Sequence, residues 1–369
     1  MQEVPANSCA IFQPEIEAMG GSERSLVALS YWLWKWNIPN HLLTYADHIG
    51  IAKYVEHPIT VVELRPELRA TKKAQALKRY FGDRPKKPAP LMSGYQAAMH
   101  AALAGIKGTH CLMHDTPDLF SDAARMSAQK KARRWISNRV AAHGLRSGGR
   151  TIVTSEHLRD ECRRLFGVNA DIARMGGLAD AAAFRLRPVE GHLRMLSVSR
   201  LEANKRIDWI LRALAAMEQN ATPLSSRVDW KLQIAGTGSL MGTLQEMTKT
   251  LGIEKRVEFP GYVSDATLQQ LYAEAHLFLM PAVQGYGIPA VEALARGLPV
   301  LLHRESGVSD ILLDTKWATV IDGGEEGMLP GLRAAIDGVV LGEQLSQPLP
   351  ALPTEEEWAR CVSTLCGWV

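Results

Sequence analysis

The chain has 369 residues, 46% of them hydrophobic and 22% charged, with a formal net charge of +3. That length exceeds one small core and suits two domains, and that composition excludes a predominantly disordered chain. The sequence has no run of about eighteen uncharged apolar residues and no basic, then apolar, leader, so it predicts a cytoplasmic protein. Cys9, Cys111, Cys162, Cys361 and Cys366 are scattered without paired spacing and read as reduced, mostly buried thiols.

The net charge conceals an asymmetry. Residues 1–190 carry 27 Lys and Arg against 18 Asp and Glu, and the remainder carries 15 against 21. A basic first half suits an anionic partner, whether a membrane surface, a lipid phosphate, an acidic glycan or nucleic acid.

In chain order, strand-like runs are expected at 9–12, 41–45, 59–64, 109–114 and 151–155, with helices between them that include 22–36 and 121–142. Apolar strands alternating with helix-period segments predict parallel sheets covered by helices on both faces. The helix around Tyr31, Trp32, Trp34 and Trp36 is apolar on more than one face, which predicts a buried helix and leaves open whether some tryptophans reach a surface. Glycines and a proline between Gly176 and Gly191 read as a linker, placing the domains at 1–187 and 188–354. The second half repeats the pattern, with strands at 193–198, 230–235, 257–259, 277–280 and 300–303, and with Ser264 or Asp265 capping a helix over 266–275.

Candidate functional residues fall at the expected strand ends, where open α/β sheets bind ligands. Residues 284–292 read Gln-Gly-Tyr-Gly-Ile-Pro-Ala-Val-Glu. Gly285 and Gly287 let the backbone approach a ligand closely. Pro289 suits a first helical position, so main-chain N–H groups and the positive helix end should face an anion. Glu292, expected in the first helical turn, can offer a carboxylate to a diol such as a ribose. Arg200 and Lys205 follow the first strand of the second half, and a departing diphosphate needs such cations. The loop Gly236-Thr-Gly-Ser-Leu-Met-Gly242 has GxGxxxG spacing, which reads as support for this pocket rather than as a dinucleotide site.

The stretch 129–139 with Arg146 and Arg150, and the cluster of Lys72, Lys73, Lys78, Arg79, Arg84, Lys86 and Lys87, are basic. Met126, Trp135, Ile136 and Val140 lie among the first set, a pattern suited to an anionic bilayer. No nucleic-acid recognition motif accompanies the charge, so nucleic acid is not an expected partner.

Taken together, SVSRLEANKRID (197–208), QIAGTGSLMGTL (233–244), RVEFPGYVS (256–264) and PAVQGYGIPAVEALARGLPVL (281–301) resemble the donor domain of the retaining, nucleotide-sugar-dependent glycosyltransferases of the GT-B fold. The first half is similar more loosely, through Gly20 and Gly21 in a glycine loop, His114 at an active-site histidine position and Gly176-Gly177 as a hinge. The resemblance implies two Rossmann-like domains facing each other across a donor-binding cleft, with residues 355–369 packing back on the first. It implies that Arg200 and Lys205 hold the diphosphate, and that Glu292 binds ribose. Gly285, Tyr286, Gly287 and Ile288 would line the sugar and phosphate pocket with Gly236. Tyr262 and Val263 would meet the nucleobase, and His114 the donor sugar.

It further implies a UDP- or GDP-sugar donor, no cofactor, retention of anomeric configuration, and a glycan, lipid-linked or small-molecule acceptor, as in polysaccharide biosynthesis. With no Asp-x-Asp pair, turnover without a metal is expected, and the basic half suggests a peripheral place on the inner face of a membrane. One departure stands out: family members usually carry Glu where this chain has Gln284, which keeps hydrogen bonding but lacks the charge. Two alternatives therefore stay open, a nucleotide-sugar epimerase on the same fold and a nucleotide-sugar-binding paralogue of reduced activity.

Overall fold

The structure is a computed structural model, and it describes residues 4–5, 7–65, 69–82, 88–117, 127–146, 148–176, 189, 192–218 and 228–369. The expected boundary at 187/188, Gly177 of the expected hinge, Met126, Arg84, Lys86 and Lys87 lie outside the described residues, as do residues 121–126 of the expected helix. Two compact units divide the chain, Met1–Gly176 with Pro353–Val369, and Gly177–Leu352.

The first unit comprises β1 (Cys9–Phe12), β2 (Glu15–Ile16), α1 (Gly21–Lys35), β3 (Asn40–Thr44), β4 (Ala46–Asp47), β5 (Val61–Glu63), α2 (Ala70–Gly82), β6 (Leu91–Ser93), α3 (Gly94–Leu103), β7 (His110–Met113), α4 (Ala128–Leu145), β8 (Thr151–Val153), α5 (Glu156–Phe166) and β9 (Asp171–Ile172). Its main sheet runs β5-β3-β1-β6-β7-β8-β9, parallel throughout. Such strands are covered on both faces and therefore read as continuous apolar runs; all four residues of β1 are buried. The central strand β6 was not expected from the sequence. It has three residues preceded by Pro88 and Pro90, too few to show a period.

Helix α1 buries Leu26, Leu29 and Leu33, a stripe at helical spacing, and leaves Trp34 exposed. Helices α3 and α4 approach closely because Gly144 has no side chain: a Cβ there would stand 2.2 Å from the carbonyl oxygen of Ala98. The last helix of the chain, α11 (Glu355–Leu365), belongs to this unit. Its capping box is complete, with Thr354 Oγ1 accepting from Glu357 N–H and the Glu357 carboxylate accepting from Thr354 N–H. Trp358 and Val362 are buried, the Arg360 guanidinium lies over the Trp36 ring, and Trp368 donates to the carbonyl of Ala89. Among the described residues no disulfide forms, and burial pushes the thiols of Cys9 and Cys162 up to about 12.

The second unit comprises β10 (Leu193–Val198), α6 (Ile207–Glu218), β11 (Trp230–Ala235), α7 (Met241–Thr250), β12 (Val257–Gly261), α8 (Asp265–Glu274), β13 (Leu277–Met280), α9 (Ile288–Ala295), β14 (Val300–His303), β15 (Ala318–Ile321) and α10 (Met328–Leu341). Its parallel sheet runs β12-β11-β10-β13-β14-β15. Four of the five expected strands have the expected bounds. The edge strand β15 was not expected, and it is only half-buried along three of its four residues. Ser264 caps α8, its hydroxyl accepting from Thr267 N–H.

The order of strands fixes where a ligand can enter. The chain leaves β10 for β11 and β12 on one side, then returns to β13 on the other. The loops after β10 and β13 therefore diverge over the carboxyl end of the sheet, at a topological switch point. In the first unit the corresponding reversal lies between β1 and β6.

Substitution of Gly144 by Ala tests the helix crossing. Helix propensity would improve by about 1 kcal/mol, but the added methyl meets a backbone atom that cannot swing aside, and overpacking costs about 1–3 kcal/mol. The net expectation is a lower midpoint in chemical denaturation, whereas a stabilised variant would show that α3 and α4 can separate freely.

Candidate functional site

In the second unit four loops meet at the carboxyl end of the sheet. The first, residues 199–206, carries Arg200 and Lys205 and includes a short helical turn, Ala203–Lys205. The glycine loop after β11 clasps it from one side. Leu201 N–H donates to Thr237 (2.9 Å) and Leu240 N–H donates to Leu201 (3.0 Å). Gly236 sits at φ 132°, and a Cβ there would stand 1.9 Å from the carbonyl oxygen of Ser199. Glycine is thus required twice over at that position, by conformation and by contact. The Glu202 carboxylate accepts from the N–H and hydroxyl of Ser239, bonds that hold it below the usual carboxylate range. The Arg200 side chain is exposed, and its carbonyl accepts from Glu202 N–H at 3.0 Å.

The loop after β13 is tied to the first by a reciprocal pair. Val283 N–H donates to the Asn204 carbonyl (2.8 Å), and the Asn204 amide donates to the Val283 carbonyl (3.0 Å). Next to this pair Lys205 Nζ donates to Gln284 Oε1 at 2.7 Å. The loop after β14 closes the set: Gln284 N–H donates to Glu305 O, Gly307 N–H to Gln284 O and Val308 N–H to Tyr286 O. Arg206, in the left-handed region at φ 52°, pairs with Glu305 at 2.6 Å and lies over the Trp209 ring.

Residues 284–287 are buried, and Gly287, at φ 123°, forms the start of α9. A Cβ at Gly287 would stand 2.7 Å from Gln284 Nε2 and 2.9 Å from Met280 Cε. Ile288 opens the helix and Pro289 is its second residue, one position later than expected; the missing N–H still falls in the first turn, where no intrahelical bond is lost.

The reading of Glu292 as a first-turn acid is corrected. The first turn of α9 holds no acid; Glu292 lies one turn deeper, 5% exposed, and its carboxylate accepts from the Tyr272 hydroxyl at 3.2 Å. Starting the helix at Ile288 moves the residue past the helix end, and the aromatic ring of α8 meets it there. Tyr262, after β12, is 84% exposed, and Val263 is half-buried. The structure thus joins Lys205, Gln284, Gly285, Tyr286, Gly287 and Ile288 through laced loops, and the bond from Gly236 N–H to Gly261 O ties Gly236 to the end of β12, just before Tyr262 and Val263. Asn204 and Ser306 were missed. Asn204 lies inside the motif that flagged its neighbours, and nothing local marks Ser306.

In the first unit Gly20 precedes α1 and Gly21 opens it. The end of this helix is met by the chain's own Glu23, whose carboxylate accepts from Gly20 N–H (3.1 Å) and the Ser22 hydroxyl (2.8 Å). His114 follows β7 and places Nε2 3.3 Å from Ser93 Oγ and 3.5 Å from Ser25 Oγ. Burial pushes its pKa down to about 4, so the ring is neutral near pH 7.

Residues 180–332 match the family described as "Glycosyl transferases group 1". The chain is 34% identical over 119 residues to an uncharacterized glycosyltransferase of Methanocaldococcus jannaschii, covering 32% of this chain and 29% of that protein. It is 34% identical over 137 residues to the GDP-mannose-dependent alpha-(1-6)-phosphatidylinositol monomannoside mannosyltransferase of Mycolicibacterium smegmatis, covering 35% and 34%. These matches span about a third of those curated relatives. Across nearly the whole chain the fold is that of sucrose-phosphate synthase from Thermosynechococcus elongatus, with TM-score 0.71, 16% identity and coverage of 97% and 98%. Anabaena HepE, solved with UDP and glucose, gives TM-score 0.68, 15% identity and coverage of 98% and 100%.

The neutral state of His114 sets a pH dependence. Its folded pKa of about 4 lies below the ordinary 6.5, so its contribution is complete above pH 6.5 and is lost as pH falls toward 4, because the unfolded chain takes up the proton first. His100, also lowered by burial to about 4, acts in the same sense. Replacing His114 with Gln should retain about 2 kcal/mol more of the neutral-pH stability at pH 5; equal losses in the two proteins, read from thermal melts, would contradict the burial argument.

Proposed function

We propose that this chain, a member of the group 1 glycosyltransferases with the GT-B fold, moves a sugar from a UDP- or GDP-sugar to an acceptor hydroxyl with retention of configuration. The observation that supports the reading is the bond from Lys205 Nζ to Gln284 Oε1 at the switch point, which ties the loop carrying Arg200 and Lys205 to the segment that leads into α9. An α/β sheet that places cations and a helix start together offers a site for a diphosphate.

In this mechanism the bond from the anomeric carbon to the diphosphate breaks as Arg200, Lys205 and the positive end of α9 take up the developing charge. The acceptor oxygen bonds to the same face of that carbon, and its proton passes to the leaving phosphate oxygen. No separate protein base is needed, and the cations supply the neutralisation that a divalent metal would otherwise provide. Glu292, oriented by Tyr272, binds the ribose hydroxyls, and exposed Tyr262 with Val263 meets the base. Neutral His114 can hydrogen-bond the donor sugar without adding a charge. By the same resemblance Gly20 and Gly21 are assigned to donor binding.

For the acceptor, we favour a lipid-linked or glycan hydroxyl used in polysaccharide or glycolipid assembly on the cytoplasmic side of a membrane. The mannosyltransferase of Mycolicibacterium smegmatis is named for a phosphatidylinositol monomannoside. In this chain α4 carries Lys130, Lys131, Arg133, Arg134 and Arg139 with no acidic residue, and Trp135 and Ile136 are 60% and 56% exposed. Apolar side chains among cations suit an anionic bilayer surface. Among the described residues no helix is long and apolar enough to cross a membrane.

The donor assignment is tested by incubation with a panel of nucleotide sugars, following transfer, hydrolysis and the anomer released. Transfer or slow hydrolysis is expected; an isomerised donor, or binding with no turnover, would replace this reading. Arg200→Ala or Lys205→Ala should lower turnover about a hundredfold, and unchanged turnover in both would remove the diphosphate assignment.

For the membrane, co-sedimentation with phosphatidylglycerol vesicles at low salt is expected, with little on phosphatidylcholine. The Trp135→Ala, Ile136→Ala double variant should bind more weakly while keeping donor hydrolysis. Equal binding to both lipids would argue against an electrostatic contact, each cation near such a surface contributing about 1 kcal/mol.

A further inference from the structure

Gln284 is 7% exposed, and each polar neighbour of its side chain has a fixed sense. Lys205 Nζ can only donate, so the atom 2.7 Å away must be the amide oxygen. The amide nitrogen then lies 3.0 Å from Ser306 Oγ and 3.1 Å from Met280 Sδ. A thioether sulfur has no proton to give. Ser306 Oγ is 3.2 Å from the carbonyl oxygen of Tyr286, which can only accept, so the Ser306 proton is committed there and its lone pairs face Gln284. One prong of residue 284 must therefore accept and the other must donate. A primary amide meets both demands, and an ionised carboxylate meets one.

We propose that Gln284 is a neutral positioning residue: a relay running from Lys205 through Gln284 and Ser306 to the Tyr286 carbonyl that aims the Lys205 ammonium at the leaving diphosphate without neutralising it at that contact. The proposal rests on the assignment of Lys205 to a nucleoside diphosphate made above. It also gives the departure from Glu a cause in this chain's own packing. The surroundings of residue 284 are built for an amide, so restoring Glu is a loss rather than a repair. A carboxylate there would turn its second oxygen against Ser306 Oγ and Met280 Sδ, and its charge would pair with Lys205.

The surroundings lend support from a second direction. Gly287 makes room for the side chain of residue 284, since a Cβ there would stand 2.7 Å from Gln284 Nε2 and 3.1 Å from Ser306 Oγ. The main chain of Gln284 is pinned by its bonds to Glu305 and Gly307. A buried amide hydrogen-bonded at both prongs holds its partner in one direction, which is what a charge-stabilising site requires.

Two measurements on Gln284→Glu test this, and they separate the relay from the donor reading. The first is thermal stability against pH without ligand. A protonated carboxyl has one acceptor and one donor prong, like the amide, so Q284E should melt well below the parent near pH 8 and approach it near pH 4, where a carboxyl beside Lys205 takes up its proton. Equal melting at both would overturn the relay. The second is binding of UDP and GDP beside uridine and guanosine. The diphosphates should bind Q284E about tenfold or more weakly, with nucleoside binding unchanged; tighter diphosphate binding would overturn the proposal.

A parent protein that binds neither diphosphate would remove the aiming role together with the donor reading, while the pH signature would still decide whether the site selects an amide. Gln284→Met, which keeps volume and adds no charge, covers the case in which Q284E does not fold. It should weaken diphosphate binding and leave nucleoside binding intact, and full diphosphate affinity in that variant would equally overturn the relay.

Discussion

The reciprocal bonds between Asn204 and Val283 hold the second unit's site together. Two loops leave adjacent strands at a point where the sheet provides no further partners, and their backbone groups must find others or stay unpaired. Asn204 answers by offering both its carbonyl and its side-chain amide to one residue of the facing loop. Once that pair is made, Lys205 and Gln284, each one position further along, face each other at hydrogen-bond distance. The loop after β14 then adds its main chain to Gln284 and Tyr286. A small number of main-chain bonds thereby fixes the side chains that carry charge.

The local electrostatics follow from how the acids are occupied. By composition the second half of the chain is acidic, and two acids of the site loops have hydrogen-bond partners of their own. Glu202 turns into the glycine loop to accept from Ser239, and Glu305 is paired with Arg206. The Arg200 guanidinium is left exposed and Lys205 is directed at a neutral amide. Preorganised charges of this kind act without reorganisation when a leaving group develops charge. The glycines at 236 and 287 matter because each stands where a side chain would displace the atoms that do this.

Much of the fold was legible because parallel strands in a doubly covered sheet are short apolar runs bounded by turn residues, as at Leu193–Val198 and Trp230–Ala235. The exceptions share a cause. The strand Leu91–Ser93 is central but only three residues long, and Ala318–Ile321 lies at an edge and is half-buried, so neither shows the length or the contrast that a pattern needs. Glu292 was misplaced for a different reason: a proline suits more than one position in the first turn, and a shift of one residue carries an acid from the helix end into the interior.

The sequence by itself determined the alternation of strands and helices, the glycines that free the backbone, and the chemistry available at residues 200, 205 and 284–292, since all of these are local properties of composition and spacing. Only the tertiary structure decided that Lys205 meets Gln284, 79 positions away, that Ser306 and Met280 make the site at 284 a place for an amide, and that Glu292 faces Tyr272. Those pairings depend on strand order, in which β13 returns to lie beside β10. Strand order is set by long-range packing and parallel pairing, which no local window of sequence contains.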